Sequence, residues 1–433
     1  MALKFGLITE IIKMIFTWFD ITLFAVYFIL LFLSIFWLLV FFSDGIKNKS
    51  KLSRYPLFSV IVPAYNEEES IENTLKSLID LEYPMDKIEI VVVNDGSTDK
   101  TSEIVKHFIL NHPENNITLL QQDNHGKGRA MNHGLKIIQG EFFACLDADS
   151  FAGSNALEEM LPYFEDDLQV AAVCPILKVQ RPRSILQKVQ WCEYIINMFY
   201  KFLNSKIDCI HVTPGPFSIY RTSVIKELGG FDETTITEDL EIAIRLQKHQ
   251  YKIVQTFDTI TETVAPSNWR SLFHQRVRWY RGSVDNSLKY KQLMFNRKYG
   301  DFGFLRMPTI ILSGLIAIIL TGTLAWQAFS RFFHWITAVS AVNFDFITLL
   351  KHFELNLNWL NLPFFKLAIA LTLLAISFFI MVYSYKLVKE DIRNHGKTWV
   401  SLVTYLLIYS LFLSCVWIYI AYSFITGKKN KWT

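Results

Sequence analysis

The sequence predicts an α/β protein with an open, mostly parallel sheet, placed between membrane segments near both ends, and three observations carry this. Short β-branched runs at Phe58 to Val62 and Ile88 to Val93 alternate with amphipathic helical stretches, the pattern of buried parallel strands in an α/β sheet. A charge-free apolar run, Thr22 to Phe42, precedes them and is long enough to span a bilayer, which takes about 20 residues. Apolar character returns after Asp301. At 433 residues, 51% hydrophobic and 15% aromatic, with mean hydropathy +0.25, the chain is too apolar for one soluble domain and too charged to be all membrane.

Residues 1–19 include an amphipathic stretch, Phe5 to Phe19, interrupted by Glu10 and Lys13, which suits an interfacial helix. Residues 20–43 read as a transmembrane helix. A cleaved signal peptide is disfavoured, because the run is too long, lacks a small-residue cleavage site and is followed by Lys47, Lys49, Lys51 and Arg54. Those basic residues place the next part on the cytoplasmic side, making this a multi-pass cell-membrane protein with an internal soluble domain. From Lys51 to about Asp301 the composition is mixed, and about 250 residues suffice to bury a core. The expected division is a soluble α/β domain over 51–265 and an interface helix over 266–300. The net charge of +3 and the lack of a basic stripe interleaved with aromatics give no indication of nucleic-acid binding. Cys145, Cys174, Cys192, Cys209 and Cys415 are widely spaced without a CxxC pair, and read as reduced, mostly buried thiols.

The region 305–426 holds at least three further membrane segments, Met307 to Trp326, Phe364 to Tyr385 and Trp399 to Phe424. Between the first two, Arg331 to Leu362 is interrupted by His334, Asp345, Lys351, His352 and Glu354, and suits a loop, an interface helix or a poor span. The Lys386 to Lys397 connection and the 427–433 tail, with Lys428, Lys429 and Lys431, are both basic. One crossing cannot leave both inside, so either the last segment is re-entrant or Arg331 to Leu350 crosses.

Within the soluble domain, Glu68 to Leu81 puts Ile71, Leu75, Leu78 and Ile79 on one helical face and completes a βαβ unit. Ile117 to Leu120 and Phe142 to Leu146 add strands; Ser97 to Leu110 and Arg129 to Ile138 add helices. Ligands of such sheets bind beyond the carboxyl ends of strands, where Pro63 to Glu67, Asp95 and Asp147 to Asp149 fall.

Asp147-Ala148-Asp149 leaves a strand end with two carboxylates on the same side. It is either a loop cap or a site for a hard divalent cation bridged to phosphates. In Val93-Asn-Asp-Gly-Ser-Thr98, Asp95 ends a strand, Gly96 permits a tight turn, and Ser97 or Thr98 can cap a helix. The motif is a βα turn, or it offers Asp95 to a nucleotide base or ribose. Pro63-Ala-Tyr-Asn-Glu-Glu68 sets Tyr65 to stack on a base and Glu67 to accept ribose protons, unless Asn66 and Glu67 cap the helix. Asn124-His-Gly-Lys-Gly-Arg129 is a solvated basic loop, or brings Lys127 and Arg129 to a diphosphate. In Thr237-Glu238-Asp239, Glu238 or Asp239 caps a helix or deprotonates an attacking hydroxyl.

Ile185 to Leu203, near 185–204, is an amphipathic helix of Ile185, Val189, Cys192, Ile196, Phe199 and Leu203 opposite Lys188, Glu193, Asn197 and Lys201. It suits core packing or a membrane interface. Gln275, Arg278 and Trp279 fall at i, i+3 and i+4 on one helical face. Such a face is a snorkelling membrane-interface helix, or it lets Arg neutralise phosphate and Trp stack on the flat face of a sugar ring.

The ordered series PAYNEE, VNDGST, NHGKGRA, DADS, TPGPFSIYR, TED and QRVRW, from Phe58 to Gly282, closely resembles the processive membrane family 2 glycosyltransferases. These include cellulose, hyaluronan and chitin synthases and bacterial poly-N-acetylglucosamine synthases. The resemblance implies a GT-A fold and inverting transfer from a UDP-sugar, with UDP-N-acetylglucosamine favoured, to a growing β-glycan moved across the membrane. It implies Mn²⁺ or Mg²⁺, contact with membrane lipids, and leaves room for an accessory subunit. Pro63, Tyr65, Glu67 and Asp95 would hold the nucleoside, Lys127 and Arg129 would lie near the diphosphate, and Asp147 with Asp149 would bind donor phosphates and metal. Asp239 matches the family's base, beside Glu238; Gln275, Arg278 and Trp279 match its diphosphate and acceptor motif. Gly215, flanked by Pro214 and Pro216 where the family often has small residues, matches its acceptor loop. A lipid-linked acceptor is the other reading, since ceramide glucosyltransferases carry the QxxRW motif too: one sugar passed to a ceramide, sterol or polyprenyl phosphate.

Overall fold

The computed structural model describes residues 18–43, 49–341, 364–390 and 398–427. The expected interfacial helix at 1–19 and the basic tail fall outside these almost entirely, as do most of the 386–397 connection and the 342–362 part of the interrupted stretch. The chain forms two compact units, one comprising Met1–Phe42 and Leu312–Ile380, the other Ser43–Ile311 and Met381–Thr433.

The second unit is organised by an eight-stranded sheet in the order β3-β2-β1-β4-β7-β6-β8-β5. Strands β1 (Phe58–Ala64), β2 (Ile88–Asp95), β3 (Asn116–Gln122) and β4 (Phe142–Cys145) are parallel. Their β-branched residues are buried on both faces, as a sheet covered on both sides requires. Short β7 (Ile219–Arg221) runs antiparallel between β4 and β6 (Val170–Val179), β6 pairs in parallel with β8 (Lys252–Thr263), and β5 (Ser150–Ala152) closes the far edge antiparallel to β8.

The sequence reading found β1 to β4 within a few residues but not β6 and β8, the two longest strands. Pro175 sits inside β6, where a proline argues against a central strand. The structure absorbs it at a bulge: the register jumps from Cys174↔Gln255 to Ile176↔Ile260. The Gln255 amide fills the gap, donating to the carbonyls of Cys174 at 3.1 Å and Pro175 at 2.9 Å. Strand β8 hides for a different reason, since it buries polar residues, Gln255, Thr256, Thr259 and Thr261, where apolar ones mark a strand.

Helix α2 (Ile71–Ile79) buries Ile71, Leu75 and Leu78 against one face of the sheet; α3 (Thr101–Asn111) adds Val105 and Phe108 there, and α4 (Lys127–Ile137) packs Ala130, Met131 and Leu135 on the other face. Ser97 and Thr98 do not cap α3. Asp99 does that work, its carboxylate accepting from the Thr101 amide at 3.0 Å. Helix α5 (Ile185–Lys206) is a buried element over most of its surface, with a capping box of Ser184 and Gln187. Glu193, expected on its polar face, is buried, and Ile185, expected on the apolar stripe, is exposed. The face that looked solvated is the one covered by α7 (Trp269–Lys289) and the C-terminal segment.

Among the described residues, four helical stretches are long and apolar enough to cross a membrane: Ile21–Phe42 within α1 (Trp18–Phe42), Phe302–Thr337, Leu367–Leu387 and Val400–Ile425. The second takes in a π-helical turn at Phe302–Arg306 and most of α8 (Met307–Ala341). Phe28, Leu39, Leu374, Phe378 and Leu407 on these spans are exposed, as lipid-facing residues are. Within the first unit, Phe24 meets Phe365 with ring centroids 5.8 Å apart, and Phe41 meets Phe379 at 5.5 Å.

Gly140 turns the chain into β4 where a Cβ would stand 2.5 Å from Ser59 Oγ and 2.7 Å from the Phe142 carbonyl. Gly140→Ala should therefore cost about 1–3 kcal/mol through overpacking. A lowered apparent melting temperature of the detergent-solubilised chain checks it; an unchanged melt would show that the turn relaxes.

Candidate functional site

A cavity of about 440 Å³ opens beyond the carboxyl ends of the central strands. Its wall brings together Lys127, Asp147, Asp149, Gly215, Glu238, Asp239, Gln275, Arg278 and Trp279, although these residues span 153 positions of chain between Lys127 and Trp279, counting both ends. Each arrives on a separate element: Lys127 opens α4, the two aspartates follow β4, Gly215 lies on the loop into β7, Glu238 and Asp239 begin α6 (Glu238–Lys248), and the last three lie on α7.

At the centre, the Lys127 ammonium contacts Asp147 Oδ1 at 2.5 Å and Glu238 Oε1 at 3.1 Å. Burial alone would depress Lys127, but the charges of Asp147 and Glu238 outweigh it and hold the ammonium well above its ordinary range. Burial and repulsion from Glu238 push Asp239 up to about 6, against the pull of Lys127. Asp149 is raised by burial and by Asp147, and Glu67 by burial and then by the charges of Asp149 and Asp147. Too much negative charge is packed here for one lysine to balance. That is the condition in which a divalent cation fits, and the carboxylate oxygens of Asp147 and Asp149 are ligands suited to Mg²⁺ or Mn²⁺.

The loops around the cavity are tied to one another. Thr213 Oγ1 donates to the Asp239 carbonyl at 2.9 Å and accepts from Tyr220 Oη at 2.9 Å, so the acceptor-loop motif is fastened to the backbone of the TED segment. Phe217 is buried at φ 58°, an uncommon conformation for a side chain of this bulk, held by its amide bond to the Cys145 carbonyl. A Cβ on Gly215 would come within 3.0 Å of Lys127 Nζ and 3.2 Å of Asp147 Oδ2, so a larger residue here would press on the central ion pair.

Pro63, Tyr65, Glu67, Asp95 and Arg129 do not line this cavity. Tyr65 and Arg129 are exposed. Asp95 is buried and holds the basic loop: it accepts from the amides of His125 at 3.0 Å and Gly126 at 2.8 Å and from Gln122 Nε2 at 2.7 Å. Asn66 (φ 54°) joins the first two loops, accepting from the Thr98 amide at 2.8 Å and donating its own amide to Ser97 Oγ at 3.0 Å. Neither Asn66 nor Glu67 caps α2 with its side chain; Glu67 takes the Ser70 hydroxyl at 2.6 Å.

Residues 59–229 match the family model Glycosyl transferase family 2. The poly-beta-1,6-N-acetyl-D-glucosamine synthase of Staphylococcus epidermidis is 28% identical over 320 residues, which cover 72% of this chain and 76% of that protein. The synthase of that name from Staphylococcus aureus strain COL is 30% identical over 272 residues, 60% of this chain and 64% of that one. Residues 59–229 form a family 2 glycosyltransferase domain. The mannosyltransferase PcManGT from Pyrobaculum calidifontis, solved in complex with GDP-Man and Mn²⁺, superposes with a TM-score of 0.59 at 21% identity, over 90% of this chain and 98% of that one. The glycosyltransferase thus has the GT-A fold with helices able to span a membrane.

Arg276 is the residue of this enzyme that sequence reasoning passed over. It lies inside the QxxRW motif, is fully buried, and has its guanidinium 4.1 Å from the Trp279 ring centroid. It bonds to Glu193 Oε2 on α5 and donates to Tyr409 Oη at 3.0 Å, while Tyr409 also donates to Glu193 at 2.8 Å. Its remaining fork donates to Gln275 Oε1 at 2.5 Å, which turns the Gln275 amide nitrogen away from that contact. The one available signal was the pairing of an Arg and a Glu that both sit next to apolar stripes, too weak to use without the fold. Farther along α7, Gly282 lets the helix press on Thr237, where a Cβ would stand 2.3 Å from Oγ1, and Asn286 donates to Thr237 Oγ1 at 3.0 Å.

Removing one member of a buried ion pair leaves the other uncompensated, so Arg276→Met should destabilise by about 3–5 kcal/mol. Arg276→Met combined with Glu193→Leu should recover much of that loss. Denaturation of the purified single and double variants measures it, and equal losses in both would assign the damage to packing.

Proposed function

We propose that the glycosyltransferase moves N-acetylglucosamine from UDP-N-acetylglucosamine to a growing β-linked glycan, with inversion and with Asp239 as the general base. The observation that carries this is the juxtaposition in one cavity of a carboxylate raised to about 6 with a carboxylate–lysine diphosphate end and an Arg/Trp helix face. A base with its pKa near working pH accepts a hydroxyl proton most effectively. The sugar and polymer are supported by the synthases named above, which match most of their own length.

In this mechanism Tyr65, Glu67 and Pro63 border the nucleoside at the ends of β1 and β2, and Asp95 shapes the loop that delivers Lys127. Lys127, Arg129 and Arg278 neutralise the diphosphate. Asp147 and Asp149 would hold a divalent cation, which when bound would supply charge neutralisation to the departing diphosphate. Trp279, Gln275 and Gly215 form the acceptor floor and wall. Asp239 takes the acceptor hydroxyl proton as that oxygen attacks the anomeric carbon opposite the diphosphate, and one displacement inverts the centre. Glu238 keeps Lys127 oriented and Asp239 basic. The soluble domain, 51–265 with the 266–300 helix, sits on the cytoplasmic side, and the spans in 305–426 conduct the product outward.

Asp239→Asn should lower sugar transfer by about 10²–10⁴-fold while UDP binding persists; synthesis at the parental rate would remove Asp239 from the base role. With Asp239 raised to about 6 and active when deprotonated, kcat/KM should be flat above that pH and fall about tenfold per unit below it. A radiolabelled donor should give a ladder of polymer, and a single organic-soluble glycolipid would favour transfer to lipid instead. Asp149→Asn should raise the divalent-cation concentration needed for half-maximal UDP-sugar binding.

A further inference from the structure

The same cavity holds a second polar group that the donor and base chemistry leaves unused. Lys201 on α5, His211 on the loop after it, and Arg306 at the end of the π-helical turn all line it. Arg306 Nη2 stands 2.7 Å from His211 Nε2. A guanidinium only donates, so that ring nitrogen accepts and the imidazole is neutral. Burial, then the charges of Arg306 and Lys201, keep His211 well below its usual range. Arg306 Nε is buried with no hydrogen-bond partner. Among the described residues neither Lys201 nor Arg306 is within ion-pair distance of a carboxylate, although the Asp239 charge reaches Lys201. Burial lowers Lys201 to about 8, as expected for a cation short of counter-charge.

Two half-buried cations with no carboxylate at ion-pair distance, one of them with a buried and unpartnered Nε, are offset by an anion that reaches both. A neutral hexosamine polymer is no such anion. We infer that Lys201, His211 and Arg306 form an anion subsite that takes a phosphoryl group at the acceptor side of the cavity, so that the acceptor or its primer is a phosphate-bearing molecule. A fork and an ammonium suit phosphate oxygens, with Arg306 Nε and Lys201 Nζ as donors and His211 fixing the guanidinium plane. Asn204 Oδ1, also buried without a partner and lining this cavity, is an acceptor for a hydroxyl of the same molecule. Arg306 directly precedes the apolar run that begins at Met307, which favours an amphiphilic phosphate over a free one. The inference rests on the acceptor cavity assigned under the proposed function.

The test uses the full chain in dodecyl maltoside, which carries no phosphate, with saturating UDP so that the donor end is filled. Decyl phosphate and inorganic phosphate are titrated separately by calorimetry. Decyl phosphate is expected to bind more tightly than inorganic phosphate, and Arg306→Gln and Lys201→Met should each weaken it by about tenfold or more. Equal binding of the two probes, lost in the variants, keeps the subsite and makes free phosphate its ligand. No binding of either probe to the parental chain, or unchanged affinity in both variants, overturns the inference. UDP affinity of each variant, expected to be unchanged, reports folding. Separately, failure of the parental chain to release UDP from any nucleotide sugar would sink the proposed function whatever the phosphate result.

Discussion

Asp147, Asp149, Glu238 and Asp239 come together on one cavity wall, and Lys127 touches two of them. Carboxylates do not gather in a partly desolvated place without a cation to meet them, and the rest of this site follows from that constraint. Asp95 gives up its oxygens to hold the His125 and Gly126 amides, which fixes where α4 begins and so where Lys127 points. Gly215 passes close to the ion pair, where a Cβ would press on Lys127 Nζ and Asp147 Oδ2. Burial first, and then the charge of Glu238, raise Asp239 to about 6.

A second buried pair does for α7 what Lys127 does for the loops. Arg276 and Glu193 are closed off from water and joined by Tyr409 from the C-terminal segment, so three chain regions distant in sequence share one network. Such a pair is weak evidence for net stability, because desolvation offsets much of the attraction. Its geometric effect is firmer: the guanidinium lies over Trp279 and bonds to Gln275, so the two motif residues flanking it are set by a group that does not itself line the cavity. Gly282 and Asn286 then seat the same helix against Thr237, the residue before Glu238 and Asp239.

Much of the fold was legible because local pattern and tertiary role agree. Strands β1 to β4 are β-branched runs ending in turn residues, and a parallel strand buried on both faces cannot look otherwise. Strands β6 and β8 broke that agreement, one through Pro175 and one through its buried polar residues, and neither departure is resolved before the strands pair. Helix α5 misled for a related reason: Glu193 reads as a solvated charge until Arg276 is found 83 residues away.

By itself the sequence determined the order of strands and helices in the parallel half, the apolar spans, and the residue types able to bind phosphate, metal and sugar, because these depend on spacing along a few turns or one strand. Only the tertiary structure decided which of those residues share a cavity, that Asp95 serves a loop while Lys127 meets Asp147, and that Arg276 braces Trp279. Charge regulation and buried pairing are set by distances between elements far apart in the chain, and no local periodicity encodes such distances.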